Sequence, residues 1–399
     1  MKKTKVCIVG AGAAGMSAAW SLSRYPDRFD VTVCERNAQA GGVATTEHIE
    51  VKPGVFCDIN DGVQGGSSSY RNSILLHREV DFHPSSVHMR VSFGQNSRSW
   101  TNYLPSNTNG TEIQELQSEI RRFGRYLKVI SWLEPIFIFI PIWLTIRLFC
   151  LSSRFTNAML YPLTALFFGT ENVLKILDKP NRFQQTVLGN VRYFDDVTYT
   201  HTDLDYMNEH YNVHLDSDQY FIHTDINDPS CPLEMSFNLS NYQADLIKLK
   251  HEQYPSLNIF QTIFLNKLES NKWTVNKMNK KKILLERWWR QFAHVWQHFL
   301  FTVPLMRFIQ QDNQRILFAG AYTMFNTHEI ACISGLAAAH QLGATYPFDK
   351  DPLAVKQFDL YLNYVYGKSR NGKTTFLQRL TTCLLIPLLW IGVAFRKRH

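Results

Sequence analysis

An α/β fold is predicted for this chain of 399 residues: a doubly wound, Rossmann-type nucleotide-binding domain with an inserted α+β domain. Three observations carry that expectation. A short apolar run, Val6-Cys7-Ile8-Val9, leads straight into the glycine-rich stretch Gly10 to Gly15. The helix-like Met16 to Leu22 comes next, and a second apolar run, Val31 to Cys34, ends on the acid Glu35. Far downstream, Ile316 to Tyr322 and the small-residue stretch Ile330 to Ala339 repeat the order strand, loop, helix. The expected division is 1–95 with 310–350 as the nucleotide-binding domain, 96–309 as the insert and 351–399 as a helical C-terminal region.

The first strand is short and bounded by glycine, as a buried parallel strand should be. In Gly10-Ala11-Gly12-Ala13-Ala14-Gly15, Gly10 permits the tight turn, Gly12 lets backbone approach a pyrophosphate, and Gly15 lets the helix pack on the strand. The helix start offers free N–H groups and a positive dipole end to phosphate. Glu35 lies 20 residues beyond Gly15, where a carboxylate accepts from ribose hydroxyls and disfavours a 2′-phosphate. The glycine pattern alone is a weak signal; strand, helix, second strand and terminal acid together make it a strong one.

Glu35-Arg36, four residues, then Gly41-Gly42 after the first glycines resembles the FAD-binding N-terminus of the flavin amine oxidase and phytoene desaturase superfamily. The resemblance implies FAD as cofactor. It also implies that the second glycine pair turns beside the pyrophosphate, where family members often place Arg or Lys next and this chain has Val43. Arg36 is either a substitute phosphate contact or a solvated strand-end charge. The segments Cys57 to Gln64, Tyr70 to Asn72 and Val87 to Phe93 are similar to a branch of predicted NAD/FAD-binding proteins, in which the Gly62-Val63-Gln64 region lies against the flavin ring.

The block Arg315 to Gly343 resembles the motif that completes the family's FAD site. The resemblance implies that Gly320 and Ala321 pass close to the diphosphate or ribityl chain. It places the helix start at Glu329 and Ile330 toward the flavin ring, stabilising the reduced form through the dipole. His328 is the candidate catalytic residue, either an acid-base group or an orienting hydrogen-bond partner. Where the family commonly has Asp-Gly, this chain has Ile330-Ala331. Phe167-Phe168-Gly169-Thr170 runs directly into Glu171 to Leu177, and the resemblance on both sides implies a lost central segment of roughly 80 residues there.

The composition, 45% hydrophobic and 19% charged, excludes disorder and allows a sizeable core. Seven scattered cysteines without a C-x-x-C pair suggest neither a disulfide framework nor a zinc ribbon, and the expected compartment is a reducing, intracellular one. His201, Asp203, His210, His223 and Asp225 match no defined metal spacing, and His294 with His298 is read as part of a core-facing aromatic helix, 292–299. Asn271 to Lys282, rich in Lys and Asn, is either an ordinary loop or a faulty exon boundary. A net charge of +8 favours anionic partners, but the lysines are dispersed and no nucleic-acid reader motif accompanies them, so nucleic acid is not expected.

A membrane is the expected partner. The uncharged stretch Leu380 to Phe395, flanked by Arg379 and Arg396-Lys397-Arg398, is either a tail anchor or an interfacial helix. Val129 to Leu151, broken by Glu134, Pro135, Pro141 and Arg147, reads as a buried or monotopic helix pair with Arg121, Arg122, Arg125 and Lys128 just upstream. The resulting expectation is a membrane-associated FAD-dependent oxidoreductase taking a hydride equivalent from a C–N or C–C bond of a lipophilic substrate, routed past 129–151 and the aromatic-rich 288–308. The alternative is an inactive, truncated homologue acting as a membrane-associated binding protein.

Overall fold

A computed structural model describes residues 2–94, 100–102, 110–133, 140, 142–160, 181–211, 213–216, 218–223, 234–295, 297–310, 316–372 and 376–396. The N-terminal end forms the expected unit. Strand β1 (Thr4–Val9), helix α1 (Ala13–Ser23) and strand β2 (Phe29–Cys34) follow in order, and the strands pair in parallel with Val6 opposite Val31. A two-residue hairpin loop joins β3 (Thr46–Lys52) to β4 (Val55–Asn60), the left-handed Gly54 at φ 74° closing the turn. On this hairpin Ile49, Val51, Cys57 and Ile59 alternate inward with period two and are buried.

Helix α2 (Arg71–Arg78) is followed by β5 (Val91–Phe93), β6 (Trp100–Thr101), α3 (Gly110–Trp132), α4 (Ile142–Leu148) and α5 (Arg182–Leu188). Asn181 caps α5 in a reciprocal capping box with Gln184. The central region adds β7 (Arg192–His201), α6 (Leu204–His210), β8 (Tyr220–His223), β9 (Glu234–Asn238), α7 (Ala244–Glu252), β10 (Phe260–Phe264) and β11 (Ile283–Ala293). The chain ends in α8 (His328–Gln341), α9 (Pro352–Tyr361) and α10 (Phe376–Arg396).

One seven-stranded sheet, ordered β11-β7-β10-β9-β8-β5-β6, dominates the insert, antiparallel except where β5 meets β8. Phe260 and Phe264 on one face of β10 enter a core with Val197, Tyr206 and Tyr211, while Gln261 on the other face turns toward the glycine loops. The Lys- and Asn-rich patch is ordered structure, three short 3₁₀ turns at Lys267–Lys272, Thr274–Lys277 and Lys280–Lys282. Trp273 is buried there, and Glu234 accepts from the Thr274 hydroxyl at 2.6 Å.

Other expectations need correction. No continuous helix runs over 292–299: the alternating 283–293 pairs along β7 up to Ala293, a π-helix, His298–Thr302, follows, and 296 lies outside the described residues. Within 288–308, Trp289, Phe292, Leu305 and Met306 are buried in the core, while Trp288 is exposed. Ile316 to Tyr322 forms no strand ladder; instead the Gln310 side-chain amide takes a neighbouring strand's place, accepting from Phe318 N at 2.9 Å and donating to its O at 2.6 Å. The join at 167–177 lies outside the described residues.

No helix among the described residues is long and apolar enough to cross a membrane; Pro387 interrupts α10, and its Leu385 and Leu389 are buried in the core. Of the 129–151 stretch, the residues up to Trp132 end α3 and Ile142–Leu148 form α4, with Tyr126 of α3 stacked on Phe149 at 4.1 Å; 134–139 and 141 lie outside the described residues.

Candidate functional site

The glycine turn has the backbone its sequence requires. Gly10 sits at φ 99°, and its N–H donates to Cys34 O at 2.7 Å, tying the end of β1 to the end of β2. Gly12 is the N-cap of α1, with no side-chain cap and no acid in the first turn, so no side chain of the helix itself takes up its first amides. A Cβ at Gly15 would lie 1.9 Å from Gly10 O, and one at Gly42 would lie 3.0 Å from the Gly12 Cα. Gly41, at φ 131°, donates its N–H to Ala11 O at 2.9 Å.

The third loop closes against the second. Val63 N donates to Val43 O at 3.0 Å, and a Cβ on Gly62 would fall 1.8 Å from that same oxygen. Val43, at the family's cation position, therefore uses its carbonyl to seat the 62–64 segment. Gln64 donates to Gln261 and accepts from the Tyr242 hydroxyl; Gln261 donates in turn to Asp61 O at 3.2 Å.

Glu35 is an anion facing the turn. One oxygen accepts from Ala11 N at 2.6 Å and the other from Asn37 N at 2.9 Å, and the Asn37 and Ala11 amides hold its carboxyl below the usual range. Each oxygen keeps a second lone pair for a ribose hydroxyl. Arg36 follows on the exposed strand end.

Beside the cradle is a cluster the sequence did not reveal. Asp61 is buried, accepts from the Thr45 hydroxyl at 2.5 Å and faces Arg287 at 3.2 Å; Arg287 also pairs with Glu47. Burial pushes the Asp61 carboxyl up, and the Thr45 hydrogen bond opposes the shift. Asp61 could be read from its place before Gly62, but nothing local in the sequence marks Arg287, on β11, as its partner.

The C-terminal block meets the same region. Gly320, at φ 148°, donates its N–H to Ser334 Oγ at 2.7 Å, and Ala321 begins a buried 3₁₀ turn. Gly335 packs α8 on α1 so closely that a Cβ would lie 2.0 Å from Ala14 O. Ala13 and Ala14 thus start a helix held from behind by small residues. Thr327 caps α8, accepting from Ile330 N at 3.2 Å. The Glu329 carboxylate turns to the start of α2, accepting from Asn72 N (2.9 Å), Asn72 Nδ2 (2.8 Å) and Ser73 N (2.8 Å).

His328 stacks on His77 with ring centroids 5.8 Å apart. Burial first and the His77 ring second lower it to about 4, so the imidazole is neutral near pH 7. Two further histidines brace the loop ahead of it: His294 Nε2 accepts from Asn326 N at 2.9 Å, and His298 Nε2 donates to Met324 O at 3.1 Å. The central histidines serve the insert. His201 pairs with Thr262 at 2.9 Å, and Asp203 takes the Lys282 ammonium at 3.0 Å. Among the described residues no group of three or more His, Cys, Asp or Glu is placed to hold a metal.

The residues present fit the ribose and pyrophosphate of a dinucleotide: backbone approaches backbone where a Cβ would intrude, below an uncapped helix start and beside an ionised acid. Parallel strands are normally covered on both faces, yet Val9 is 63% and Val33 37% exposed.

Residues 8–74 match the family model described as an NAD(P)-binding Rossmann-like domain. No curated protein matches the chain. Among solved structures it is similar to a CLA-producing fatty acid isomerase from P. acnes (TM-score 0.55, 12% identity, covering 82% of this chain and 96% of that one). It is also similar to a provisionally assigned protoporphyrinogen oxidase from Exiguobacterium sp. 255-15 (TM-score 0.51, 11% identity, 86% and 99% covered). A putrescine oxidase variant from a redesign of cofactor binding gives TM-score 0.50 at 10% identity, with 86% and 99% covered. The chain thus has an N-terminal Rossmann-like domain and, over most of its length, the fold that these three solved proteins share.

Proposed function

We propose that the chain binds FAD and acts as an oxidoreductase of the amine oxidase type on a small lipophilic substrate. The observation that carries this is the closure of three glycine loops, 10–15, 41–43 and 62–64, on one another beneath the uncapped start of α1. FAD supplies the acceptor, flavin N5, for a hydride equivalent leaving a C–N or C–C bond. The chain's own residues bind and orient. Glu35 holds the ribose, the backbone of Gly10 to Gly15 and of Gly41-Gly42 takes the pyrophosphate, and Gly320 and Ala321 line the path beyond. The Gly62-Val63-Gln64 segment, fixed through Gln261 and Tyr242, forms the wall beside the ring. Neutral His328 orients the start of α8 and is the candidate for a proton contact.

The test is the visible spectrum of the purified chain followed by release of cofactor on denaturation. Flavin absorbance near one equivalent is expected. A second reading, a non-catalytic homologue acting as a binding protein, is favoured by the uncovered β1–β2 faces and by Gln310 standing in for a strand. A chain that stays colourless after FAD is added decides for that reading.

We infer further that the chain works at an intracellular membrane surface. Helix α10 turns Leu380, Leu384, Trp390 and Ile391 outward, and 360–399 contains seven Lys or Arg and no Asp or Glu. Binding to phosphatidylserine vesicles, but not to phosphatidylcholine vesicles, is expected at low salt. Equal partitioning to both, or to neither, counts against it.

A further inference from the structure

The seven-stranded sheet of the insert ends on β11, which pairs with β7 on one side. Its other edge joins no strand among the described residues. With 11 residues it is a long edge strand, and such an edge presents a row of backbone N–H and C=O groups to any further strand that fits. Devices that blunt an edge are few here. The strand contains no proline, and its one irregularity of pairing lies at the start, between Ile283 and Leu285. Along its middle Glu286, Trp288 and Arg290 alternate onto one face, all three exposed, with Trp288 45% accessible.

Charges on an edge normally keep copies apart, but the order of these three does the opposite. Trp288 is the midpoint of Ile283–Ala293, so a second copy laid antiparallel about Trp288 overlaps the whole strand. In that register Glu286 of each copy stands opposite Arg290 of the other, and the two Trp288 rings meet at the two-fold axis. Moving the axis to Glu286 or to Arg290 sets like charges opposite each other. Moving it to Arg287 or Trp289 sets both charges against Trp288, Leu284 or Phe292. Parallel pairing in register matches Glu286 with Glu286 and Arg290 with Arg290.

The chain's own contacts hold this face ready. Trp288 Nε1 donates to Glu286 Oε1 at 2.9 Å, which keeps the carboxylate beside the ring, and Lys267 lies over that ring at 4.8 Å. Arg290 stands opposite Asp195 of β7 and makes no ion pair among the described residues. The alternate face is committed to the interior. There Arg287 pairs with Glu47 and Asp61 and lies over the Trp289 ring at 4.9 Å, so β3 reaches β11 through a side chain without joining its ladder.

We propose that a second copy of this chain docks on the outer edge of β11, antiparallel about Trp288, and continues the sheet from one copy into the other. A strand paired with itself is an isologous contact and closes at two copies, and β6, at the far end of the sheet, is only two residues long. Neither step depends on bound flavin.

The test is sedimentation velocity of the full chain in a non-ionic detergent, which suppresses association through α10. A reversible dimer is expected, populated at about 100 µM and lost by about 1 µM, as suits a contact of one strand and a few side chains. Glu286→Arg and Arg290→Glu are each expected to weaken it about ten-fold, because each sets like charges opposite one another twice. Both positions are exposed, and circular dichroism checks that the variants fold. Mixed one to one, the two variants are expected to dimerise again, since every cross-strand pair then joins opposite charges, and the double variant is expected to dimerise by itself. A chain that is monomeric at about 100 µM, a dimer indifferent to both reversals, or a mixture that stays monomeric overturns the proposal.

Discussion

Glu329 is where one side chain most clearly joins the two ends of the chain. Its carboxylate receives two backbone amides and a side-chain amide at the start of α2, all buried. Replacing it with Ala leaves those donors without an acceptor in the interior, which costs on the order of 3 kcal/mol. Glu329→Gln, which keeps one acceptor oxygen, is expected to lose less; urea denaturation of both variants checks the order. Asp196 is the opposite case. Burial raises it to about 6 against the Asn266 N–H that it accepts at 2.5 Å. Its folded value lies above the unfolded one, so its contribution is most favourable below about pH 4 and is lost as pH rises through 6. Asp196→Asn is expected to stabilise the protein above pH 6, by up to about 3 kcal/mol, and to give no gain at pH 4. A gain of equal size at both pH values would contradict that account.

At the scale of elements, the contact between α1 and α8 was legible because it is a matter of residue size. Gly335 stands in the small-residue run Ile330 to Ala339, and its missing Cβ is where α8 meets the backbone of α1 at Ala14. Gly335→Val is expected to part the helices and to reduce bound flavin severalfold, measured by absorbance after purification of the folded variant. Retained flavin at the unaltered level would show that the helix pair does not hold the cradle. The segment 316–322 was misread for an equally physical reason. Its composition suits a strand, but a strand exists only where another backbone supplies partners, and here a glutamine side chain does so. The aromatic run 292–299 was likewise assigned by the spacing of two histidines, while the partner strand β7 decided its first two residues.

Over the whole molecule, imidazoles lowered by burial set the response to acid, His210 among them. Burial lowers His201 and His294 to about 3 and His298 and His328 to about 4. Each folded value lies below the ordinary 6.5, so the unfolded chain binds the extra protons, and stability present above pH 6.5 is lost as pH falls toward 4. Asp196 works in the opposite sense over part of that window but is a single group. A marked fall in the denaturation midpoint between pH 7 and pH 5 is expected. A flat profile would mean that these rings are less enclosed than the fold places them.

The sequence by itself determined the nucleotide end: the glycine turn, Glu35, the second glycine pair and the small-residue helix. These depend on φ angles, on the absence of a Cβ and on a helix start, all local properties of consecutive residues. Only the tertiary structure decided the Asp61–Arg287–Glu47 cluster, the turning of Glu329 toward α2 and the neutral state of His328. Each of those is set by burial and by partners far away in the chain, and a side chain's charge, protonation and reach are fixed by what surrounds it rather than by what precedes it.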